Sequence, residues 1–196
     1  MLNIEYFYGN KQFYMIVGID PSINCTGVCV WDDTWNNHGY YMVPSKCTKK
    51  MREFQHGAVH ILPYEKQDTK GLEYSSKESA KFNNIYSIVN KISLILDLFH
   101  PDEVIMEGVS YGSLGSAALV DLCFLNSAIR MLLKQKQIKF TVVAPTELKK
   151  FACSNGAADK NVIIDAWKRL EPEVADIKDI KVDDLADSYF LAHYKK

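Results

Sequence analysis

The chain has 196 residues, 47% of them hydrophobic and 24% charged, with a formal net charge of −1. That balance suits one folded domain with a sizeable core and excludes a disordered, fibrous or collagen-like chain. It also excludes nucleic-acid binding through the field of the whole molecule, so any such contact must come from local basic patches or from cations held by carboxylates.

Residues 1–14 carry five aromatic side chains, Tyr6, Phe7, Tyr8, Phe13 and Tyr14, and read as an extension that forms an edge strand or an arm over a partner. They lack the basic and apolar regions of a secretory signal, and no apolar run approaches the ~20 residues that span a bilayer, so an intracellular protein without membrane attachment is expected. Residues 15–20 and 25–31 read as short buried strands joined by the turn Asp20-Pro21-Ser22-Ile23-Asn24. Residues 40–43 read as a third strand, making an antiparallel meander. The stretch 44–71 has few clear periods and is expected to be a loop-rich insertion; its basic run Lys46-Cys47-Thr48-Lys49-Lys50-Met51-Arg52 is read either as solvated or as a local nucleic-acid contact.

A helical period begins near Ser79, with Ile85, Val89, Ile92, Leu96 and Phe99 on one face and Ile88 and Ile95 widening it. His100-Pro101-Asp102 ends it, residues 103–107 form a buried strand, and a polar loop through Ser110, Tyr111 and Gly112 opens a long helix over 117–135. A strand is expected over 139–144, a short helix over 146–151 after Pro145, and a further helix over 158–170. An acidic and lysine-rich connector over 171–181 leads to a last helix over 182–194. Strands mixed with helices in this order indicate an α/β arrangement with a mixed sheet. The five cysteines, Cys25, Cys29, Cys47, Cys123 and Cys153, form no C-x-x-C pair and read as reduced thiols rather than a disulfide frame or zinc site.

Four acids carry the functional signal. Asp20 and Glu107 each follow an apolar strand, and Asp184 and Asp187 stand three apart on the last helix, where they share one face. A carboxylate at the end of a buried strand is costly to desolvate unless a cation satisfies it. Two metals among such acids supply what phosphodiester hydrolysis needs, an activated water and a stabilised leaving oxygen, and magnesium, which prefers oxygen ligands and keeps several waters, needs only a few carboxylates. Asp32, Asp33 and Asp183 are read as solvated residues or helix caps. Lys149 and Lys160, by residue type alone, are either solvated or phosphate contacts.

Gly18-Ile19-Asp20-Pro21-Ser22 followed by Thr26-Gly27 resembles the first motif of the RuvC family of Holliday-junction endonucleases, within the ribonuclease H-like superfamily. His100-Pro101-Asp102 leading to Ile105-Met106-Glu107 resembles that family's second acidic strand, and Asp184-Leu185-Ala186-Asp187 with Ser188 to His193 resembles its closing helix. Ala144-Pro145-Thr146-Glu147-Leu148-Lys149-Lys150 and Gly156-Ala157-Ala158-Asp159-Lys160 resemble segments of phage and prophage relatives. The resemblance covers residues 15–196 apart from 44–71.

It implies a ribonuclease H-like mixed five-stranded sheet flanked by helices, in a single nuclease domain over 15–196. It implies that Asp20, Glu107, Asp184 and Asp187 bind two Mg2+ ions, with Mn2+ substituting, and that Lys149 and Lys160 lie beside the scissile phosphate, Lys150 extending the patch. Tyr111 falls in the loop where the family probes opened base pairs, although Ser110 occupies the position of the expected aromatic and Gly108 that of a commonly polar residue. A homodimer is implied, with Leu122, Leu125, Ile129 and Leu132 serving either its interface or the core. The implied activity is resolution of four-way junctions in the cytoplasm, or the host's if phage-encoded, water attacking phosphorus in line to leave a 5′-phosphate and a 3′-hydroxyl. Flaps, forks or RNA–DNA hybrids are the alternative substrates. An actin-like ATP-binding protein shares the first hairpin motif but needs two such domains, and a catalytically idle junction binder gains nothing from four acids placed near phosphates.

Overall fold

The computed structural model describes residues 14–110, 117–178 and 180–194. Strands β1 (Met15–Asp20), β2 (Cys25–Asp32) and β3 (Asn37–Pro44) form the expected antiparallel meander. Next come a short helix α1 (Lys49–Glu53) and a three-residue strand β4 (Val59–Ile61), then α2 (Tyr74–Phe99), β5 (Glu103–Glu107) and α3 (Ala117–Gln135). The chain closes with β6 (Lys139–Val143), α4 (Pro145–Cys153), α5 (Lys160–Leu170), a single 3-10 turn at Pro172–Val174 and α6 (Asp183–Ala192).

The sheet has six strands in the order β4-β3-β2-β1-β5-β6, where five were expected. The sixth is β4, pairing in parallel with β3 from within the stretch read as loop-rich. That stretch is tied down along its length: Leu62 and Tyr64 donate backbone hydrogen bonds to Met42 and Pro44, and Gln67 donates to the buried side chain of Asn84 on α2. Helix α2 begins five residues before the first apolar period, because its opening turns are polar and exposed.

Alternation along the strands sorts residues onto two faces. Val17 and Ile19 of β1 and Val104 and Met106 of β5 pack with Ile88, Ile92, Leu125 and Ile129 of α2 and α3. Ile16 of β1 and Ile105 of β5 point the other way, towards Leu185, Tyr189 and Ala192 of α6 and Trp167 of α5. Leu125 and Ile129 are fully buried core residues, so they are not an interface, while Leu122 and Leu132 are half-buried. The connector before α6 is also part of the core: Val174, Ile177 and Ile180 are buried amid its charged neighbours. All five cysteines are free thiols, as expected.

Candidate metal centre

Period-two geometry decides where the first two acids go. Asp20 follows Ile16 and Gly18 on the α6 side of β1, and Glu107 follows Ile105 on the same side of β5. The two strands are parallel neighbours with Ile19 beside Met106, so the two acids emerge next to each other at the carboxyl ends. Ligand sites in mixed α/β sheets collect at such ends.

The turn after Asp20 is fixed locally. Ser22 N–H donates to the Thr26 hydroxyl at 3.1 Å, and that hydroxyl donates back to the Ser22 carbonyl at 2.8 Å, closing the hairpin. Opposite Asp20 in the ladder stands Gly27. A Cβ there would lie 2.0 Å from the Asp184 carbonyl oxygen, and one on Gly18 would lie 2.0 Å from the Ser188 carbonyl oxygen. Helix α6 therefore rests on bare main chain, which brings Asp184 and Asp187 over the Asp20 strand end.

Charge in the resulting pocket is crowded. Asp20 is 7% and Asp184 8% exposed, and Glu107 and Asp187 are half-buried. Burial pushes Asp20 well above the usual carboxylate range, with the charges of Glu107, Asp187 and Asp184 adding to it. A side-chain hydrogen bond with Glu107 adds to the upward shift of Asp20. Burial and then the Asp187 charge push Glu107 up to about 7, against the Asp20 hydrogen bond and the cations Lys149 and Lys160. Asp184 and Asp187 are each pushed up to about 6, burial leading in both, with Asp183 adding and Lys160 opposing. The mutual proximity of four desolvated oxygen acids is the chemistry of a site for hard divalent cations. Among the described residues no three His, Cys, Asp or Glu side chains are already closed up as a ligand set; Lys149 and Lys160 oppose the crowding at Glu107.

Lys149 on α4 and Lys160 at the start of α5 both act on Glu107 and Asp187, and so flank the pocket. Lys150 is exposed in the last turn of α4. Tyr111 and residues 1–13 lie outside the described residues.

Three participants were missed or misread. Asp183, read as solvated, is 3% exposed, and its Oδ2 accepts Lys160 Nζ at 2.6 Å while pairing with Lys181 Nζ at 2.9 Å. Burial works against its charge, yet those lysines hold its carboxyl below the usual range. The signal available was spacing: Lys181 stands two residues before Asp183, and Lys160 opens the preceding long helix. Cys25 hydrogen-bonds Asp184, its thiol pushed up by burial and then by that acid's charge. Asn126, buried on α3, donates from Nδ2 to the Glu107 carbonyl at 3.3 Å and accepts from Arg130 at 2.8 Å, bracing the strand end from the other face.

No family model matches the chain. The chain is 30% identical over 105 residues to the crossover junction endodeoxyribonuclease RuvC of Dictyoglomus turgidum, a match covering 53% of this chain and 63% of that protein's length. It is 25% identical over 178 residues to the RuvC of Dictyoglomus thermophilum, covering 90% of this chain and 92% of that one. In three dimensions it superposes on Thermus thermophilus RuvC in complex with Holliday junction substrate with a TM-score of 0.57 at 13% identity, covering 91% of this chain and 90% of that one. The two relatives and the superposition agree: the chain is similar in sequence to RuvC proteins and has the fold of the RuvC structures.

Proposed function

We propose that this protein is a metal-dependent endonuclease that resolves four-way DNA junctions, its nuclease domain running over residues 15–196. The observation that carries the reading is the convergence of Asp20, Glu107, Asp184 and Asp187, from three elements far apart in sequence, into one desolvated pocket flanked by Lys149 and Lys160. Those four acids would hold two Mg2+ ions, or Mn2+ in their place. When bound, the ions supply activation of the attacking water and charge relief at the leaving oxygen.

The chain's own groups do the rest. Lys149 and Lys160, at the pocket's rim, hold the phosphate and offset the negative charge that builds on its oxygens as the bond breaks. Asp184 gains a fixed orientation from the Cys25 thiol, and Glu107 from Asn126 behind its carbonyl. The closed turn at Ser22–Thr26 keeps Asp20 at the end of its strand.

Paired cuts call for two copies. Of the four side chains read from sequence Leu125 and Ile129 are buried and Leu122 and Leu132 half-buried; on α3 the exposed large apolar side chains are Val120, Phe124 and Met131, and on the adjoining α2 Phe82 and Tyr86 stand exposed and stacked. A homodimer through this face is part of the proposal. No helix among the described residues is long and apolar enough to cross a membrane, which fits action on cytoplasmic DNA.

Incubating the protein and Mg2+ with synthetic four-way, three-way, flap and linear substrates tests the reading. Symmetric paired nicks on the four-way junction are expected, with little cutting elsewhere. Equal or greater cutting of flaps or forks would move the assignment to that substrate class; Mg2+-dependent ATP binding without DNA cleavage would overturn it.

A further inference from the structure

Next to the acidic pocket lies a cleft of about 760 Å³ with opposite character. One wall carries Lys46, Lys49 and Lys50, from the stretch between β3 and β4; the other carries Lys160, Lys181 and Asp184. Its floor is formed in part by Cys25, Met42 and Pro44, at the ends of β2 and β3. Asp184 belongs to both sites, so the cleft opens directly from the acidic pocket.

Both walls are fixed relative to the acids. Ser45 N–H donates to the Asn24 carbonyl at 2.8 Å, and the buried Tyr64 hydroxyl donates to the Ile23 carbonyl at 2.8 Å, so the lysine-bearing stretch is stapled to the turn that follows Asp20. On the far wall, Asp183 gathers Lys160 and Lys181 onto one carboxylate oxygen. Lys49 pairs with Glu53 at 3.7 Å, but both are exposed and four apart on a helix, an interaction too weak to remove the lysine from other use. Arg52, the remaining cation of the run, turns away and donates to the Cys47 carbonyl at 2.9 Å.

Five ammonium groups around one acid make an anion track, and the volume matches a small-ligand site rather than the footprint of a duplex. We infer that this cleft holds the sugar-phosphate backbone of a single DNA strand on one side of the scissile phosphate, the wall of Lys46, Lys49 and Lys50 neutralising consecutive phosphates as the strand leaves the acidic pocket. This rests on the nuclease reading above and adds to it a strand exit path. Lysine ammonium groups act as point charges on phosphate, so the contact is sequence-blind and salt-sensitive.

The test compares wild-type protein with the triple variant Lys46→Gln, Lys49→Gln, Lys50→Gln on a four-way junction with Ca2+ in place of Mg2+, so that binding is read without cutting. All three side chains are exposed, so the variant's melting temperature is expected to match wild type. Affinity is expected to fall about 10- to 100-fold at fixed salt, and the slope of log K against log salt to shrink by about 2 to 3. The Mg2+-dependent cutting rate at saturating DNA is expected to stay unchanged. Neutral methylphosphonate linkages on one flank of the cleavage point should weaken wild-type binding and leave the variant's binding untouched. Wild-type affinity and salt slope in the triple variant, or equal sensitivity of both proteins to the neutral linkages, would overturn this inference while leaving the nuclease assignment standing. Failure of the wild-type protein to bind any branched DNA would overturn both.

Discussion

The two faces of the central sheet bury residues in different ways. Towards α2 and α3, β1 and β5 present Val17, Ile19, Val104 and Met106, and α2 and α3 answer chiefly with Ile and Leu, Asn84 and Asn126 being their buried polar residues. Towards α6 the same strands present Ile16, Gly18 and Asp20, and the last helix answers with Asp183, Asp184 and Ser188 among its buried residues. The first face is stabilised by removing apolar area from water. The second buries charge, which opposes folding unless a cation or proton meets it. Both faces hold an apolar core, but among the described residues buried charge lies on the α6 face alone, and substitutions on the two faces should separate stability from chemistry in experiment.

The largest effect is expected on the α6 face. Asp20→Asn should lower the junction cutting rate by about 10³-fold or more, as loss of a core catalytic group does, while junction binding measured by gel shift persists because a repelling charge has gone. Near-normal cutting by this variant would dissolve the contrast between the faces. Lys149→Ala should slow cutting by roughly 10- to 1,000-fold at saturating DNA if it offsets transition-state charge; an unchanged rate returns Lys149 to a solvated role.

On the opposite face, Leu125→Ala should cost about 2–5 kcal/mol in chemical denaturation and leave the cutting rate of the folded fraction near wild type. A matching loss of rate would show that the α2–α3 face transmits into the site.

A smaller, pH-dependent effect sharpens the comparison. Glu107, Asp184 and Asp187 titrate near 6 to 7 in the folded protein, above their ordinary values of 4.5, 3.8 and 3.8. The folded state therefore binds more protons than the unfolded one between about pH 4 and 7, and this contribution to stability falls as pH rises through that window. Metal-free protein should lose melting temperature relative to Asp20→Asn between pH 5 and 8, and divalent metal should restore it most at the alkaline end, with proton uptake by buffer recorded in calorimetry. Parallel melting curves for the two proteins across that range would refute the crowded-charge account. The smallest effect is expected at Gly57, where an added Cβ meets nothing within 4 Å; Gly57→Ala should change stability by no more than about 0.5 kcal/mol, whereas Gly27→Ala should displace α6 and lower both stability and cutting.

How far the sequence was readable follows the same division. Long apolar periods such as Ile85 to Leu96 announced α2, and the acids after apolar strands announced the pocket, because both are patterns of burial along one element. The strand Val59–Ile61 was not legible: three residues are too few for a period, and only its partner β3 makes them a strand. Asp183 was misread because only Lys181 stands near it in sequence, while Lys160 arrives from α5, a meeting that no local pattern records. Leu125 and Ile129 left core and interface open, since an apolar helix face does not say what covers it. The connector reads as acidic and lysine-rich, yet Val174, Ile177 and Ile180 at three-residue spacing are buried within it.

The seat of α6 on Gly18 and Gly27 has a mechanical consequence. Where a helix is spaced from a sheet by side chains, its height depends on which rotamers fill the gap and shifts when they exchange. Here main chain abuts main chain at 2.0 Å from where a Cβ would stand, so atomic radii alone set the gauge. The separation between acids more than 160 positions apart in the polypeptide is then a property of the backbone, indifferent to drift in the surrounding apolar residues.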